Sequence, residues 1–199
     1  MKKLGFDLIL LGMIASGKDT QAKALEKKYI LKRVETGLYT RKLVKEMKGK
    51  KADWARRTAG KGKPLPVPLL KEFLIRETKK ISKNENILFL GGPRLKPEAQ
   101  LLKKILENKK RDFLAIYITL PDKEIYKRSL ERKDSKMKDI YKIWDNKKQI
   151  AIRIKWHKEQ VGKTVKYLEK LGKLKKINGN QSVQKVTKDI LKEIEKYRG

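Results

Sequence analysis

Gly12-Met-Ile-Ala-Ser-Gly17-Lys18-Asp19-Thr20-Gln21 is the segment whose residue types and spacing point most directly to chemistry. It has a Gly-x4-Gly-Lys skeleton between an apolar run and a helical pattern. Glycines let a backbone fold tightly around an anion. Several N–H groups then point inward, a helix N-terminus lies behind them, and a Lys reaches the outer phosphates. An ordinary strand-to-helix turn would share the glycines, and Asp19 stands where the strict pattern has Ser or Thr. The strand-like run before and the helix after favour a phosphate loop, with Gly12, Ala15, Ser16, Gly17, Lys18, Asp19 and Thr20 as its expected ligand-side residues.

Composition narrows the remaining chemistry. The 199 residues include no Cys and one His, His157, so disulfides, thiolate catalysis, Cys-based zinc sites and His-based triads are excluded. Lys, Arg, carboxylates, hydroxyls and the backbone must do the work. Lys and Arg number 54 against 23 Asp and Glu, a net charge of +31, but only 11 of the basic residues are Arg. The lysines are spread over polar helix faces among glutamates and form no single stripe, which reads as solvated surface before nucleic-acid binding. The field still attracts anions. In such a chain Arg is expected where a planar fork must hold phosphate oxygens bidentately.

The elements that must position these groups alternate. Phe6–Leu11, Ile87–Leu90 and Phe113–Thr119 read as buried strands, with Lys32–Glu35 and Leu174–Ile177 as weaker ones. Helical patterns cover Lys18–Tyr29, Val67–Ser82, Pro97–Asn108, Asp122–Arg132, Asp145–Leu171 and Val183–Tyr197. This alternation predicts an α/β chain, a three-layer α/β/α sandwich around a five-stranded parallel sheet, in a single domain over residues 1–199. Gly60–Pro68 is the strongest loop signal. Lys2 and Lys3 before Leu8–Ala15 loosely imitate a secretory signal, but Asp7 interrupts the run. No segment approaches the roughly 18 apolar residues a membrane span needs. The expectation is a soluble, cytoplasmic chain.

At this point the sequence resembles the adenylate kinase family of nucleoside monophosphate kinases. Gly17-Lys18-Asp19-Thr20-Gln21 is similar to the family's Gly-Lys-Gly-Thr-Gln. Thr36-Gly37 with Arg41 resembles Thr-Gly-Asp-x-x-x-Arg, with Leu38 in place of the Asp. Gly62-Lys63-Pro64-Leu65-Pro66 is similar to the loop whose backbone faces the monophosphate base, and Gly91-Gly92-Pro93-Arg94 resembles Asp-Gly-Phe-Pro-Arg. Arg128 and Arg132 have the spacing of two arginines flanking a lid, Asp145 to Arg153 reproduces an Asp-x7-Arg spacing, and 176–183 is similar to the turn at the ATP base. Five of the 11 arginines fall at matched positions, and Arg33, Arg56, Arg57, Arg76, Arg111 and Arg198 read as solvated.

The resemblance implies a P-loop fold with a monophosphate-binding segment at 36–66 and a short lid at 133–144 that has no room for zinc. It implies transfer of the ATP γ-phosphoryl group to a monophosphate, most simply AMP, by a monomer that needs Mg²⁺ with its ATP. Lys18, Arg94, Arg132 and Arg153 are then the expected catalytic residues. The loop residues, Arg128 and Gln181 meet ATP, and Thr36, Gly37, Arg41, Lys63, Leu65, Gly91, Arg94 and Glu98 meet the monophosphate. Leu90 stands where the family has the Asp that orients magnesium waters, and Gly92 replaces an aromatic. Asp19 is the candidate compensating magnesium ligand, with a helix-end cap as its other reading. Two alternatives stay open: a catalytically weak nucleotide-binding protein that uses its basic surface on RNA or ribosomes, and a thymidylate-type kinase. The latter's Asp-Arg signature after the third strand is absent.

Overall fold

The computed structural model describes residues 1–60, 64–82, 84–131 and 147–199. Five strands, β1 (Asp7–Gly12), β2 (Leu31–Glu35), β3 (Asn86–Leu90), β4 (Phe113–Thr119) and β5 (Leu174–Asn178), form one sheet in the order β2-β3-β1-β4-β5. Every pairing is parallel, with Leu10 opposite Leu90 on one side of β1 and Ile116 on the other. The described helices are α1 (Lys18–Lys28), α2 (Thr36–Lys45), α3 (Lys50–Gly60), α4 (Val67–Lys79), α5 (Lys96–Asn108), α6 (Asp122–Leu130), α7 (Lys147–Lys170) and α8 (Val183–Arg198).

Strand alternation sorts the core into two layers. Ile9, Leu11, Ile87, Phe89, Phe113 and Ala115 pack with Leu69, Phe73, Leu102, Leu106, Val161 and Leu168 from α4, α5 and α7. Their neighbours Leu8, Leu10, Leu88, Leu90, Leu114 and Ile116 face Ala22, Leu25, Val186, Ile190 and Ile194 from α1 and α8. Helices on both faces explain why β1 and β3 read as continuous apolar runs instead of alternating ones. A third, smaller cluster of Met13, Ile125, Ile150 and Ile154 lies beside the 12–17 loop and ties it to α6 and α7. Among the described residues no helix is long and apolar enough to cross a membrane.

The structure corrects two expectations. The described part of 36–66 carries two helices the pattern did not announce, α2 and α3. Their ends lack strong signals: Glu35 caps α2 without a side-chain hydrogen bond, and only Leu43 is buried along α2. Tertiary contact carries the segment, with Tyr39 stacked on Phe73 of α4 at 4.2 Å and the Arg76 guanidinium 5.1 Å above the Tyr39 ring. Arg111 is not solvated either. It grips the fully buried Asp7 with two hydrogen bonds of 2.8 and 2.7 Å and also donates to the Glu85 carbonyl. Asp7 accepts from the Ile87 N–H at 2.7 Å, so the residue that breaks the apolar run at the N-terminus is the lock on the amino end of the sheet.

Candidate active site

Four of the segments singled out for phosphate chemistry leave the carboxyl end of a strand. The 12–17 loop follows β1, Thr36–Arg41 follows β2, Gly91–Arg94 follows β3 and the 178–181 turn follows β5. A parallel sheet sends all these loops to one edge, where open α/β folds bind ligands.

The β1–α1 loop is held by small residues. A Cβ on Gly12 would lie 2.5 Å from Ser16 Oγ and 3.1 Å from the Ile118 carbonyl, so only glycine fits. Gly17 caps α1 at φ 84°, and Ala15 holds φ 57°, a left-handed conformation costly for a residue with a Cβ. Ser16 Oγ is buried without a hydrogen-bond partner, the state of a group awaiting a ligand oxygen. Lys18 Nζ reaches back over the loop to the Met13 carbonyl at 3.5 Å. The Asp19 carboxylate, 4.0 Å from Lys18 Nζ, is largely exposed, and Thr20 is exposed beside it. The β5–α8 turn seats on this loop: a Cβ on Gly179 would lie 2.6 Å from Ile118 Cγ2 and 3.6 Å from the Ser16 carbonyl. Arg128 of α6 donates to Glu124 at 2.6 Å and to the Gly179 carbonyl at 3.3 Å, which joins two sequence-distant expectations. Gln181 is engaged with Asp189 and the Asn178 carbonyl, each at 2.8 Å.

On the other side of β1, Thr36 and the β3–α5 loop interlock. Cβ atoms on Gly91 and Gly92 would lie 3.6 and 3.1 Å from Thr36 Oγ1, so Thr36 fills the space a larger residue at 92 would take. Gly37 leaves room for Arg41, whose guanidinium sits 3.3 Å from where a Cβ would be and donates to Glu35 at 3.1 Å. Leu38, in the expected place of an acid, is exposed, and Leu65 is buried in the core beneath. Leu90 is buried among apolar side chains.

Arg94 is open to solvent yet ringed by protein, as befits a group on the floor of a cleft, and its Nε donates to the Gly91 carbonyl at 2.8 Å. Crowding of the guanidinium lowers its pKa, as does Arg41, while Glu98 works in the opposite sense. Glu98 is buried, and one of its oxygens accepts from the Arg94 and Leu95 N–H groups at 2.6 and 3.3 Å. That oxygen is committed to shaping the loop, and burial is the main cause raising the carboxyl pKa. Thr164, fully buried on α7, donates to the Arg94 carbonyl at 3.0 Å. Arg153 lies on the same helix, while Arg132, Lys63 and Asp145 lie outside the described residues.

Sequence reasoning passed over the one imidazole. His157 lies one turn beyond Arg153, its Nε2 3.4 Å from the Tyr117 hydroxyl of β4. Burial, then the positive charges of Arg94 and Lys18, lower its pKa to about 3. The signal was present, because residues four apart on a helix share a face. Thr164 and Glu35 left no comparable trace.

The adenylate kinase family model matches residues 10–173. An adenylate kinase of Azobacteroides pseudotrichonymphae genomovar. CFP2 is 29% identical over 188 residues, covering 94% of this chain and 95% of the relative. One from Methanothrix thermoacetophila is 28% identical, covering 96% of this chain and all of the relative, and one from Bacteroides fragilis is 25% identical, covering 95% and 98%. A match of this extent, on a sheet that gathers the matched loops along one edge, makes the chain a member of the adenylate kinase family, the nucleoside monophosphate kinases.

Proposed function

We propose that the chain transfers the ATP γ-phosphoryl group to AMP, giving two ADP, in the cleft at the carboxyl edge of its sheet. The observation that carries this reading is that Lys18 and Arg94 are cations that follow the paired parallel strands β1 and β3 at the same edge of the sheet. One belongs to a phosphate loop and the other to a loop interlocked with Thr36.

Phosphoryl transfer asks for in-line placement and dispersal of negative charge. Lys18, the loop N–H groups and the unpartnered Ser16 hydroxyl hold the donor phosphates. Arg41 and Arg94 clamp the acceptor phosphate, and Arg153 serves the transferring group, the role the family resemblance also gives Arg132. Arg128 and the 178–181 turn form the wall for the donor base. Thr36 and the backbone at 64–66 take the acceptor base, with Glu98 shaping the loop beside them.

Among the described residues no three His, Cys, Asp or Glu side chains cluster as a metal cage. The donor set suits an ion carried by nucleotide, since Mg²⁺ usually takes one or two carboxylates plus phosphates and water. Asp19 is the loop carboxylate that would hold it, and a bound ion would supply neutralisation of the charge that develops on the phosphates. Asp19→Ala is expected to shift the Mg²⁺ dependence of turnover. A coupled assay of ATP with each monophosphate tests the reaction: turnover with AMP supports it, and failure with all of them refutes it.

A further inference from the structure

His157 is the chain's one imidazole, and the roles assigned above leave it without work. It lies on the face of α7 that carries Arg153 one turn earlier, and it feels the charges of Lys18 from α1 and Arg94 from the β3–α5 loop. From β4 comes the Tyr117 hydroxyl, with the two rings nearly parallel at 15° and 6.2 Å apart. Nearby acids have other partners. Asp122 of α6 pairs with Lys158, and Glu98 of α5 accepts from backbone N–H groups at Arg94 and Leu95. The named charges acting on His157 are therefore positive.

This inference rests on the cleft being where the phosphates of two nucleotides meet. We propose that His157 is a further phosphate-responsive residue: neutral in the empty cleft, it takes up a proton from solvent as the phosphates enter and adds a cation beside Lys18 and Arg94. The neighbouring cations hold the empty state neutral, and phosphate charge reverses the sign of the local field. Tyr117 suits both states without moving. Its hydroxyl donates to a neutral Nε2 and accepts from a protonated one. A residue that merely fills space would keep one protonation state throughout.

A single imidazole makes the test unambiguous. In ¹⁵N-labelled full-length protein, long-range ¹H–¹⁵N spectra of His157 are followed from pH 4.5 to 8, empty and saturated with a diadenosine pentaphosphate. Having no terminal phosphate monoester, the probe does not itself titrate near pH 6. The empty protein is expected to stay neutral throughout, and the complex to protonate with a midpoint above about 5, a rise of roughly 2 pH units or more. Affinity should correspondingly tighten about twofold or more between pH 7.5 and 5, and His157→Gln should abolish that slope. Calorimetric binding with an imidazole that stays neutral overturns the inference and leaves the proposed function standing. So does an imidazole already titrating near 6.5 in the empty protein. Absence of binding heat removes the proposed function, and this inference with it.

Discussion

Arg111 and Arg94 sit at opposite edges of one sheet and are treated in opposite ways. Arg111, at the amino edge, is 16% exposed and meets a completely buried carboxylate through two hydrogen bonds. Charge there is cancelled and geometry is fixed. Arg94, at the carboxyl edge, makes no ion pair among the described residues; its guanidinium donates to the Gly91 carbonyl, and the charges acting on it are Glu98 and, in the opposite sense, Arg41. Uncancelled cationic charge is the mark of a site that a ligand completes. A cationic group whose partner is supplied by the fold serves stability, and one whose partner must arrive serves function.

Exchanging the two effects would break that contrast. Arg94→Ala is expected to lower turnover by about 10³-fold or more, in the range of an arginine that stabilises transferring phosphate, with little change in melting temperature. Arg111→Ala should do the reverse. Stranding the buried Asp7 costs about 3 to 5 kcal/mol in denaturant unfolding, while the folded fraction keeps its turnover. A stable Arg111 variant with lost activity would undo the division.

Two smaller changes sharpen it. Glu35 holds Arg41 at 3.1 Å from a half-buried position, so it competes with an incoming phosphate. Glu35→Gln should therefore lower the monophosphate KM about 3- to 10-fold in steady-state assays, an effect near 1 kcal/mol, as for a partly exposed pair. Ala15→Gly relieves the left-handed backbone at φ 57° and should raise stability by about 0.5 to 1 kcal/mol, because the strain relieved exceeds the added chain entropy. A loss of stability would show that loop packing outweighs strain at this position.

The sheet was legible in the sequence because its strands are covered on both faces and so read as apolar blocks, and because the glycines at 12, 17 and 91–92 answer strict steric demands. Helices α2 and α3 were not legible. Their support comes from contacts such as Tyr39 on Phe73, which no local period encodes. Asp7 and Arg111 are 104 positions apart, so nothing local marked Arg111 as a partner. For the site, the arginine positions and the phosphate loop were visible as ordered motifs. The surroundings of Glu98 and His157 were not visible for one reason: each depends on which charges lie near it in space, and sequence order is silent on that.

Helix α7 bears on both halves of the cleft. Arg153, His157 and Thr164 lie four and eleven positions along it, about one and three turns, so they line one stripe roughly 16 Å long. Because Thr164 fastens the loop that presents Arg94, a roll of this rod would move that loop and Arg153 together. On the proposed function, the helix would be a mechanical gauge for the distance between the two nucleotides' tails. Inserting one residue between His157 and Thr164 would twist the two ends by about 100° relative to each other and uncouple them, whereas inserting about seven would lengthen the gauge by two turns and nearly preserve its stripe.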